Sequence, residues 1–341
     1  MNINSFIRNN VARMKPYSSA RDEFKNTADI YLDANENPFS NGLNRYPDPY
    51  QKKLKEKISE IKGISERNIL LGNGSDEVID LILRAFCEPA KDKIITTPPT
   101  YGMYQVAADL NNVEVVESLL NPDFSINTRD IISKINENTK AVILCSPNNP
   151  SGNCMDDEDI EKILSRNCLV VLDEAYIDFS DKKSWLNRLN KYPNLIISQT
   201  LSKAYGLAGL RVGMCFASEE IIAVLNKIKP PYNINELSQK WAIVYLKAER
   251  KNIEKRAEIS KNKEILYNEL KKLSCVKKVF PSDANFFLVK MTNADTIYSK
   301  LLEKSIVVRN RSNQPLCENC LRITVGTEAE NKRLITILKE F

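Results

Sequence analysis

The chain has 341 residues, with 49 Lys and Arg against 44 Asp and Glu, a formal net charge of +5, and no histidine. The lack of imidazole excludes Ser-His-Asp hydrolases, Cys-His proteases, histidine-ligated zinc enzymes and haem proteins with a proximal histidine. Any proton transfer must therefore be carried by Lys, Tyr, Cys, Asp or Glu.

The bulk composition is that of an ordinary globular chain of about two domains, because single cores usually stop growing near ~250–300 residues and 43% of this chain is hydrophobic. Charges of both signs are interleaved, without the basic stripe that binds a nucleic-acid backbone, so we expect no nucleic-acid partner. Anionic small molecules are compatible with this charge. We recognise no export signal and no run of about 18 apolar residues, which predicts a cytoplasmic protein with no membrane span.

Eight cysteines are scattered along the chain, several of them inside apolar runs. In a reducing cytosol such residues are small core residues rather than disulfide partners. Only Cys317 and Cys320, in LCENC, have the spacing of metal ligands. Without a second pair or a histidine they lack a complete zinc ligand set, so we expect a turn that carries thiols and no metal.

Short β-rich runs alternate with helical patterns between about residues 68 and 217. The runs are KIITT (93–97), VEVVESL (113–119), KAVILCS (140–146), CLVVLDEA (168–175), NLIISQT (194–200) and VGMCFA (212–217). This alternation predicts an α/β domain whose largely parallel sheet is covered by helices. Ligands of such sheets collect beyond the carboxyl ends of the strands, so the residues just after each run are candidates for chemistry.

Residues 235–273 contain no Gly or Pro and are dense in helix formers, which predicts one long helix leaving the large domain. The remainder, with strand-like VKKVF, NFFLVK, SIVVR and LRITVG, indicates a smaller α+β domain. We expect three parts: an N-terminal arm and small-domain segment (1–43), a large domain (44–234), and the long helix with the small domain (235–341). The polar first 30 residues are expected to pack on a partner or on the small domain.

The first chemical motif is TLSKAYGLAGLRVG at 200–213. Lys203 lies just beyond a predicted strand, flanked by hydroxyls and small residues, with Arg211 eight positions on. Small neighbours allow a flat ligand to approach, hydroxyls and arginine bind phosphate, and a lysine amine condenses with an aldehyde. Together these are the parts of a pyridoxal phosphate site.

A second group of polar residues follows the neighbouring predicted strands. Asp173 ends VVLD, where a buried carboxylate facing a pyridine nitrogen would keep that nitrogen protonated. Taken alone, Asp173 could equally cap a helix. Asn149, in the turn SPNNPSG, and Tyr176 are placed to hydrogen-bond the phenolic oxygen of the same ring.

Two weaker signals point to the same cofactor. GNGSDE at 72–77 is a Gly-rich turn with Ser75 as the expected N-cap, so free N–H groups at the helix start would hold a phosphate. Tyr101, in PPTYGMY, is placed to stack on a flat ring. Any capped helix resembles the first signal, and an isolated aromatic is more often a core residue.

These motifs, in this order, resemble those of the fold type I pyridoxal-phosphate aminotransferases, and within that group the histidinol-phosphate aminotransferase family. The resemblance covers essentially the whole chain and rests on LDANENP (32–38), RYPDP (45–49), GNGSDE (72–77), PPTYGMY (98–104), SPNNPSG (146–152), LDEAY (172–176), TLSKAYGLAGLRVG (200–213) and LRITVG (321–326). It implies a large domain with a mostly parallel sheet between helices, a small α+β domain, and a homodimer.

The resemblance also implies roles for individual residues. The catalytic residues would be Lys203, which bonds covalently to the cofactor, Asp173 and Tyr176. The cofactor pyridoxal 5′-phosphate would be bound by Lys203, Ser75, Asp76, Tyr101, Asn149, Asp173, Tyr176, Thr200, Ser202 and Arg211, with Tyr46 reaching in from the other subunit. The substrate would meet Tyr17, Asn35, Arg309 and Arg322.

Arg309 and Arg322 also have a physical interpretation of their own. Arg309 ends the strand-like SIVVR and Arg322 begins LRITVG, so adjacent strands would aim both guanidinium groups at one anion. Two forked donors suit a phosphate or a carboxylate better than lysines do. The alternative is a pair of surface arginines at strand ends.

The expected reaction is transamination between L-histidinol phosphate and 2-oxoglutarate, giving imidazole acetol phosphate and L-glutamate, with Lys203 as the proton carrier. Two alternatives within the fold are a phosphothreonine decarboxylase-like enzyme and a broad aromatic aminotransferase. A ligand-sensing protein on the same scaffold is a third, disfavoured because a sensor has no need of a complete electron sink.

Overall fold

The computed structural model describes residues 2–17 and 28–341, with the side chains of 249–252 excepted. Part of the expected N-terminal arm, residues 18–27, therefore lies outside the described residues. Two sheets organise the described chain. One has seven strands and the other has four.

The larger sheet contains all six strands predicted between residues 93 and 217, plus one before them. Its strands are β1 (Ile69–Asn73), β2 (Lys93–Thr96), β3 (Glu114–Glu117), β4 (Thr139–Cys145), β5 (Leu169–Asp173), β6 (Leu195–Thr200) and β7 (Val212–Phe216), in the order β1-β7-β6-β5-β4-β2-β3. Strands β2 to β6 pair in parallel, whereas β7 is antiparallel to both β1 and β6. The mostly parallel sheet predicted from the alternating runs is confirmed.

Helices cover both faces of this sheet. They are α1 (Asn9–Arg13), α2 (Lys52–Lys62), α3 (Ser75–Phe86), α4 (Met103–Leu110), α5 (Thr128–Lys134), α6 (Asp157–Leu164), α7 (Glu219–Ile228) and α8 (Glu236–Lys247). Alternate residues of β5 pack in separate hydrophobic cores on the two faces of the sheet. Val170 and Leu172 belong to one core, and Leu169 and Val171 belong to the other. Burial on both sides explains why the central strands are almost wholly apolar.

The smaller sheet is antiparallel and forms a second core with its own helices. Its strands are β8 (Val276–Val279), β9 (Phe286–Met291), β10 (Arg309–Asn310) and β11 (Cys320–Thr324), in the order β10-β11-β9-β8, and its helices are α9 (Glu249–Leu270), α10 (Ala294–Glu303) and α11 (Glu328–Leu338). The prediction that SIVVR is a strand ending at Arg309 is wrong, because the strand begins at Arg309. The preceding residues 305–308 lie at the sheet edge, where no strand of the described chain pairs with them.

The single long helix predicted over 235–273 is two helices, α8 and α9, separated at Ala248. The sequence has no Gly or Pro at this point, so no local signal marks the break. Tertiary packing accounts for it: α8 packs on α2 of the large unit, whereas α9 packs on α11 and β8 of the small one. A single straight helix could not pack against both the large and the small unit.

The first residues of the chain pack on the large unit, in contrast to the expected packing on the small domain or a partner. Ile3 and Phe6 are buried in the core that contains α3 and α7. The backbone N–H of Arg8 donates to the carbonyl of Ala85, at the end of α3. The apolar side chains at positions 3 and 6 explain this anchoring, since they share one face of a short helical turn. The domain limits 1–43, 44–234 and 235–341 stay a prediction.

The two units are joined beside the turn 146–152. The N–H of Asp283 donates to the carbonyl of Gly152 at 2.7 Å, and its carboxylate accepts from the N–H of Cys154 at 2.9 Å. Gly152 has φ +86°, and a Cβ there would lie 2.4 Å from Ser282 Oγ. This close approach requires glycine and fixes the turn that carries Asn149 against the small unit.

Candidate active site

A cavity of about 180 Å³ opens beyond the carboxyl ends of β4, β5 and β6, where the rule for parallel sheets places ligands. The residues that line it are Ser75, Asp76, Tyr101, Cys145, Asn149, Asp173, Ala175, Tyr176, Thr200, Ser202, Lys203, Ala208 and Arg211. The structure thus brings together ten of the eleven residues expected to bind the cofactor. The eleventh, Tyr46, lies elsewhere.

Asp173 is the buried acid of this cavity, with 3% of its surface exposed. Its Oδ1 accepts from the N–H of Ala175 at 3.1 Å, and its Oδ2 accepts from the hydroxyl of Tyr104 at 2.7 Å. Burial raises the pKa of Asp173 to about 6, and the two hydrogen bonds oppose that rise. A cation placed beside this carboxylate would restore its charge, which suits a protonated ring nitrogen.

Tyr104 is a site residue that sequence reasoning missed. Its ring is 1% exposed and packs edge-to-face on Tyr101, with ring centroids 5.6 Å apart. Tyr101 was singled out from PPTYGMY, but the second tyrosine of that motif follows three positions later on α4. A side chain one helical turn further on points in the same direction, so this spacing was the available signal.

Asn149 connects the large and small units inside the cavity. Its Nδ2 donates to the Tyr176 hydroxyl at 3.5 Å, and its Oδ1 accepts from Nη1 of Arg322 at 2.5 Å. Burial raises the pKa of Tyr176, so its hydroxyl stays protonated and available as a donor. An amide and a phenol that face the same space suit an oxygen anion on a flat ring.

Lys203 follows β6 and projects over the ring of Tyr176, with Nζ 5.7 Å from the ring centroid. Partial burial lowers the pKa of Lys203, and the charges of Arg322 and Arg211 lower it further. Asp173 and Asp76 oppose this effect. A lysine with a lowered pKa is more often neutral, so more of it is available as a nucleophile and base at neutral pH than of a solvated lysine.

An anion cradle lies at the start of α3. Gly74 turns the chain with φ +78°, so the expected cap Ser75 is instead the first helical residue and Gly74 is the N-cap. The correction has a simple cause, since glycine alone adopts this conformation without strain. A Cβ on Gly213 would lie 2.3 Å from the backbone nitrogen of Ser75, so only hydrogen at position 213 lets β7 cross this turn.

Arg211 completes the cradle. Its guanidinium lies so close to Gly74 that a Cβ there would meet Nη2 at 2.5 Å, and it is 3.7 Å from the Asp76 carboxylate. Free N–H groups at the start of a twelve-residue helix, together with an arginine fork, form a site for a phosphate group.

The two arginines predicted to bind substrate lie opposite each other on neighbouring strands. Arg309 of β10 pairs with Arg322 of β11 in the antiparallel register. Both line a second, larger cavity of about 750 Å³ on the small unit. The two arginines do lie on adjacent strands, and their expected binding of one anion stays a prediction.

Comparison with known proteins identifies the family. The model of "Aminotransferase class I and II" matches residues 21–338. The chain belongs to the class I and II aminotransferases. It is 58% identical to the histidinol-phosphate aminotransferase of Christiangramia forsetii, over 99% of this chain and 98% of that protein, and 50% identical to the one of Bacteroides thetaiotaomicron, over 99% of both.

Solved structures share the fold of this aminotransferase. The histidinol-phosphate aminotransferase from Clostridium acetobutylicum superposes with a TM-score of 0.81 at 30% identity, covering 87% of this chain and 90% of that one. The enzyme from Sinorhizobium meliloti in complex with pyridoxal-5′-phosphate gives a TM-score of 0.79 at 25% identity, covering 87% and 82%. The fold type I architecture expected from the motifs is confirmed.

Besides Arg309 and Arg322, three predicted site residues of the aminotransferase do not line its Lys203 cavity. Tyr46 and Asn35 line a separate cavity of about 540 Å³, where Tyr46 stacks on Tyr232 with ring centroids 4.4 Å apart. Tyr17 is 65% exposed. Within one chain, therefore, the structure does not bring these three residues to the site, and their roles stay predictions.

Two further features bear on the expectations from composition. Cys317 and Cys320 are buried and unoxidised, and both join the hydrophobic core below β11. The described residues contain no cluster of potential metal ligands. None of the described helices combines the length and the apolarity that crossing a membrane requires.

Proposed function

We propose that the chain uses pyridoxal 5′-phosphate to transfer the amino group of L-histidinol phosphate to 2-oxoglutarate. One observation carries this proposal: an amine, a buried carboxylate and an anion cradle, on Lys203, Asp173 and the Gly74 turn, share a cavity of about 180 Å³. These groups match the aldehyde, the ring nitrogen and the phosphate of that cofactor. The residues present therefore fit the group.

In this proposal the walls of the cavity hold the cofactor from several sides. Ser75, Asp76, Thr200, Ser202 and Arg211 surround its phosphate, and Tyr101 packs against its ring. Asn149 and Tyr176 would donate to its phenolic oxygen, which is supported by their adjacency in the cavity wall, where Asn149 Nδ2 lies 3.5 Å from the Tyr176 hydroxyl. When bound, the cofactor supplies an electron-accepting ring that stabilises negative charge on the substrate's amine-bearing carbon.

Lys203 and Asp173 carry the proton chemistry. Lys203 Nζ would take the proton from the substrate's amine-bearing carbon and return it to the cofactor's C4′ carbon, on the other side of the transferred nitrogen. A positioned base accelerates such a transfer by about 10²–10⁴-fold. Its lowered pKa supports this role, because the neutral amine is the basic form. Asp173 would keep a proton on the cofactor's ring nitrogen, while Tyr104 orients the carboxylate through the hydrogen bond from its hydroxyl to Oδ2.

The substrates proposed are two amines and two ketones that alternate in one site. The phosphate of histidinol phosphate and the distal carboxylate of glutamate or 2-oxoglutarate would both meet Arg309 and Arg322. The relatives that carry the name histidinol-phosphate aminotransferase, 58% and 50% identical along nearly the full length, support this choice. Tyr17 and Asn35 are proposed as further substrate contacts.

We also propose a homodimer located in the cytoplasm. Tyr46 is half-exposed at 50%, outside the Lys203 cavity of its own chain, as expected of a residue that serves a partner's site. Helix α8 presents Leu237, Trp241 and Val244 to solvent nearby, and an apolar strip of this kind favours association. Eight free cysteines support a reducing compartment.

The test is a paired-substrate assay on the cofactor-loaded protein. Histidinol phosphate with 2-oxoglutarate should yield glutamate, and phosphothreonine should yield no carbon dioxide. Carbon dioxide release would favour the decarboxylase alternative, and equal rates with phenylalanine or tyrosine would favour a broad aromatic aminotransferase. Lys203→Ala should abolish turnover and the borohydride-reducible absorbing species, so steady transamination by that variant would contradict the assignment of Lys203.

A further inference from the structure

Three arginines, not two, lie on one face of the small sheet. Arg309 faces Arg322 across the β10–β11 pair, and the N–H of Arg311 donates to the carbonyl of Cys320 in the continuation of that pairing. Side chains two residues apart on an extended segment point to the same side. Arg311 therefore shares the face of Arg309 and is a diagonal neighbour of Arg322, within reach of a long side chain.

The packing of the other face shows which way these arginines point. Leu321 and Ile323 of β11 belong to the small unit's own core, and Val308 packs against that core from the neighbouring segment. The intervening positions, Cys320 and Arg322, therefore turn toward the large unit. Arg311, opposite Cys320, turns the same way.

The guanidinium groups of Arg311 and Arg322 lack a compensating negative charge among the described residues. Nε of Arg311 and Nε of Arg322 are both buried without a hydrogen-bond acceptor among the described residues. Burial, followed by the charges of Arg322 and Arg309, lowers the pKa of Arg311 to about 10. Within the described part of the chain, neither Arg311 nor Arg322 forms an ion pair with a carboxylate. Two half-buried like charges whose buried Nε donors are free are arranged for an anion.

This face adjoins the chemistry. Arg322 donates to Asn149 and lies over the ring of Phe286, 5.3 Å from its centroid. The charge of Arg322 lowers the pKa of Lys203, and Tyr176 acts to raise the pKa of Arg311, so both arginines lie within electrostatic reach of the site. A substrate that reached from Lys203 toward the small sheet would meet Arg322 first, beside Asn149.

We propose that Arg311 is a specificity-determining residue that makes this face prefer a dianionic phosphate ester to a singly charged carboxylate. The proposal rests on the proposed function and deepens it. A carboxylate has two oxygens, which two guanidinium groups satisfy, whereas a phosphate ester presents three acceptor oxygens and a charge near −2 at pH 7. The guanidinium of Arg311 would donate to the third phosphate oxygen and balance the second negative charge.

The test compares Arg311→Gln and Arg311→Lys with the wild-type holoenzyme, in which the cofactor's own phosphate site is filled. Arg67→Gln is the matched control, because it removes one positive charge at an exposed position paired only weakly with Glu219 at 3.8 Å. Binding of inorganic phosphate and of acetate at pH 8 is measured by calorimetry. KM and kcat are measured with histidinol phosphate.

For Arg311→Gln we expect phosphate binding to weaken about tenfold or more and acetate binding to change less than about threefold, since one charge-assisted contact is lost. In the same variant, KM for histidinol phosphate should rise by a similar factor with little change in kcat. Arg311→Lys should recover part of the lost affinity. The control Arg67→Gln should resemble wild type. Unchanged phosphate affinity, or equal losses for phosphate and acetate, would overturn the proposal.

The binding measurements do not depend on turnover, so the proposed transamination and the proposed role of Arg311 can be refuted independently. Wild-type protein that binds phosphate through Arg311 without converting histidinol phosphate would refute the proposed substrate and retain this inference. Thermal unfolding of each variant identifies a folding defect, and Arg311→Lys keeps the test valid if the glutamine variant unfolds.

Discussion

Asp173 is held by Tyr104 from one side and by the Ala175 N–H from another, which leaves one direction open to the cavity. The phenol stabilises the ionised carboxylate, so Tyr104→Phe should raise the pKa of Asp173. We expect the acid limb of the kcat/KM profile of the holoenzyme to move up by about 0.5–1 pH unit, the equivalent of one hydrogen bond. Cofactor affinity should fall as well.

The control for this variant is Tyr267→Phe, which removes a hydroxyl from a half-buried ring that packs on Phe287 in the small unit. Its pH profile should match that of wild type. An acid limb that stays in place in Tyr104→Phe, with normal folding, would show that Tyr104 serves packing alone.

The raised pKa of Asp173 also predicts how the stability of the cofactor-free protein depends on pH. A carboxyl whose pKa rises from 3.8 to about 6 on folding favours the folded state below pH 4, and that contribution is lost as the pH rises through 6. Two pKa units correspond to about 3 kcal/mol. Urea unfolding of cofactor-free wild type and Asp173→Asn should therefore show a stability difference that grows by about this amount, in favour of the variant, between pH 4 and pH 7. A constant difference across that range would contradict the prediction.

At the scale of elements, the crossing of β7 over the Gly74 turn is the tightest feature of the site. Gly213→Ala would place a Cβ 2.3 Å from the backbone of Gly74 and Ser75, so strand and helix must separate. We expect a loss of about 1–3 kcal/mol in the free energy of unfolding, as for overpacked cores, and weaker binding of the cofactor phosphate. Denaturant unfolding and cofactor titration measure the two effects.

Gly209, four residues before Gly213 along the chain, provides the matched control. A Cβ on Gly209 would meet no atom within 4 Å. Gly209→Ala should therefore leave stability and cofactor affinity within experimental scatter of wild type. Similar losses in both variants would locate the effect in loop flexibility rather than in the crossing.

The elements also show what the sequence could and could not predict. The buried strands were predictable because apolar β-branched runs ending in polar residues admit few other structures, and their ends placed Lys203, Asp173 and Asn149 together. The break between α8 and α9 at Ala248 was not predictable, because it depends on packing partners of the two helices that are distant in sequence. The sequence pattern places the N-cap at Ser75 rather than at Gly74. The positive φ at Gly74 goes with the close approach of Gly213 and Arg211 to this turn, which the local sequence does not show.

At the scale of the whole molecule, the site belongs to both units. The large sheet supplies the Lys203 cavity, the small sheet carries Arg322, and Asn149 accepts a hydrogen bond from Arg322 where the two units meet. Sequence motifs named these residues one by one, but the single-chain structure separates Tyr46 from all of them. The proposed second subunit would be the one whose site Tyr46 serves.

Subunit exchange tests this expectation. Lys203→Ala and Tyr46→Phe homodimers should each be impaired, and random mixing should give hybrids with one intact site in half of the dimers. Activity should then recover to about one quarter of wild type, as the symmetry of a two-site dimer requires. Mixing Lys203→Ala with Asn149→Ala is the control, because both residues line the same chain's cavity and every hybrid site keeps one defect. Verified exchange without recovery in the first mixture, or equal recovery in the second, would show that Tyr46 does not act across subunits.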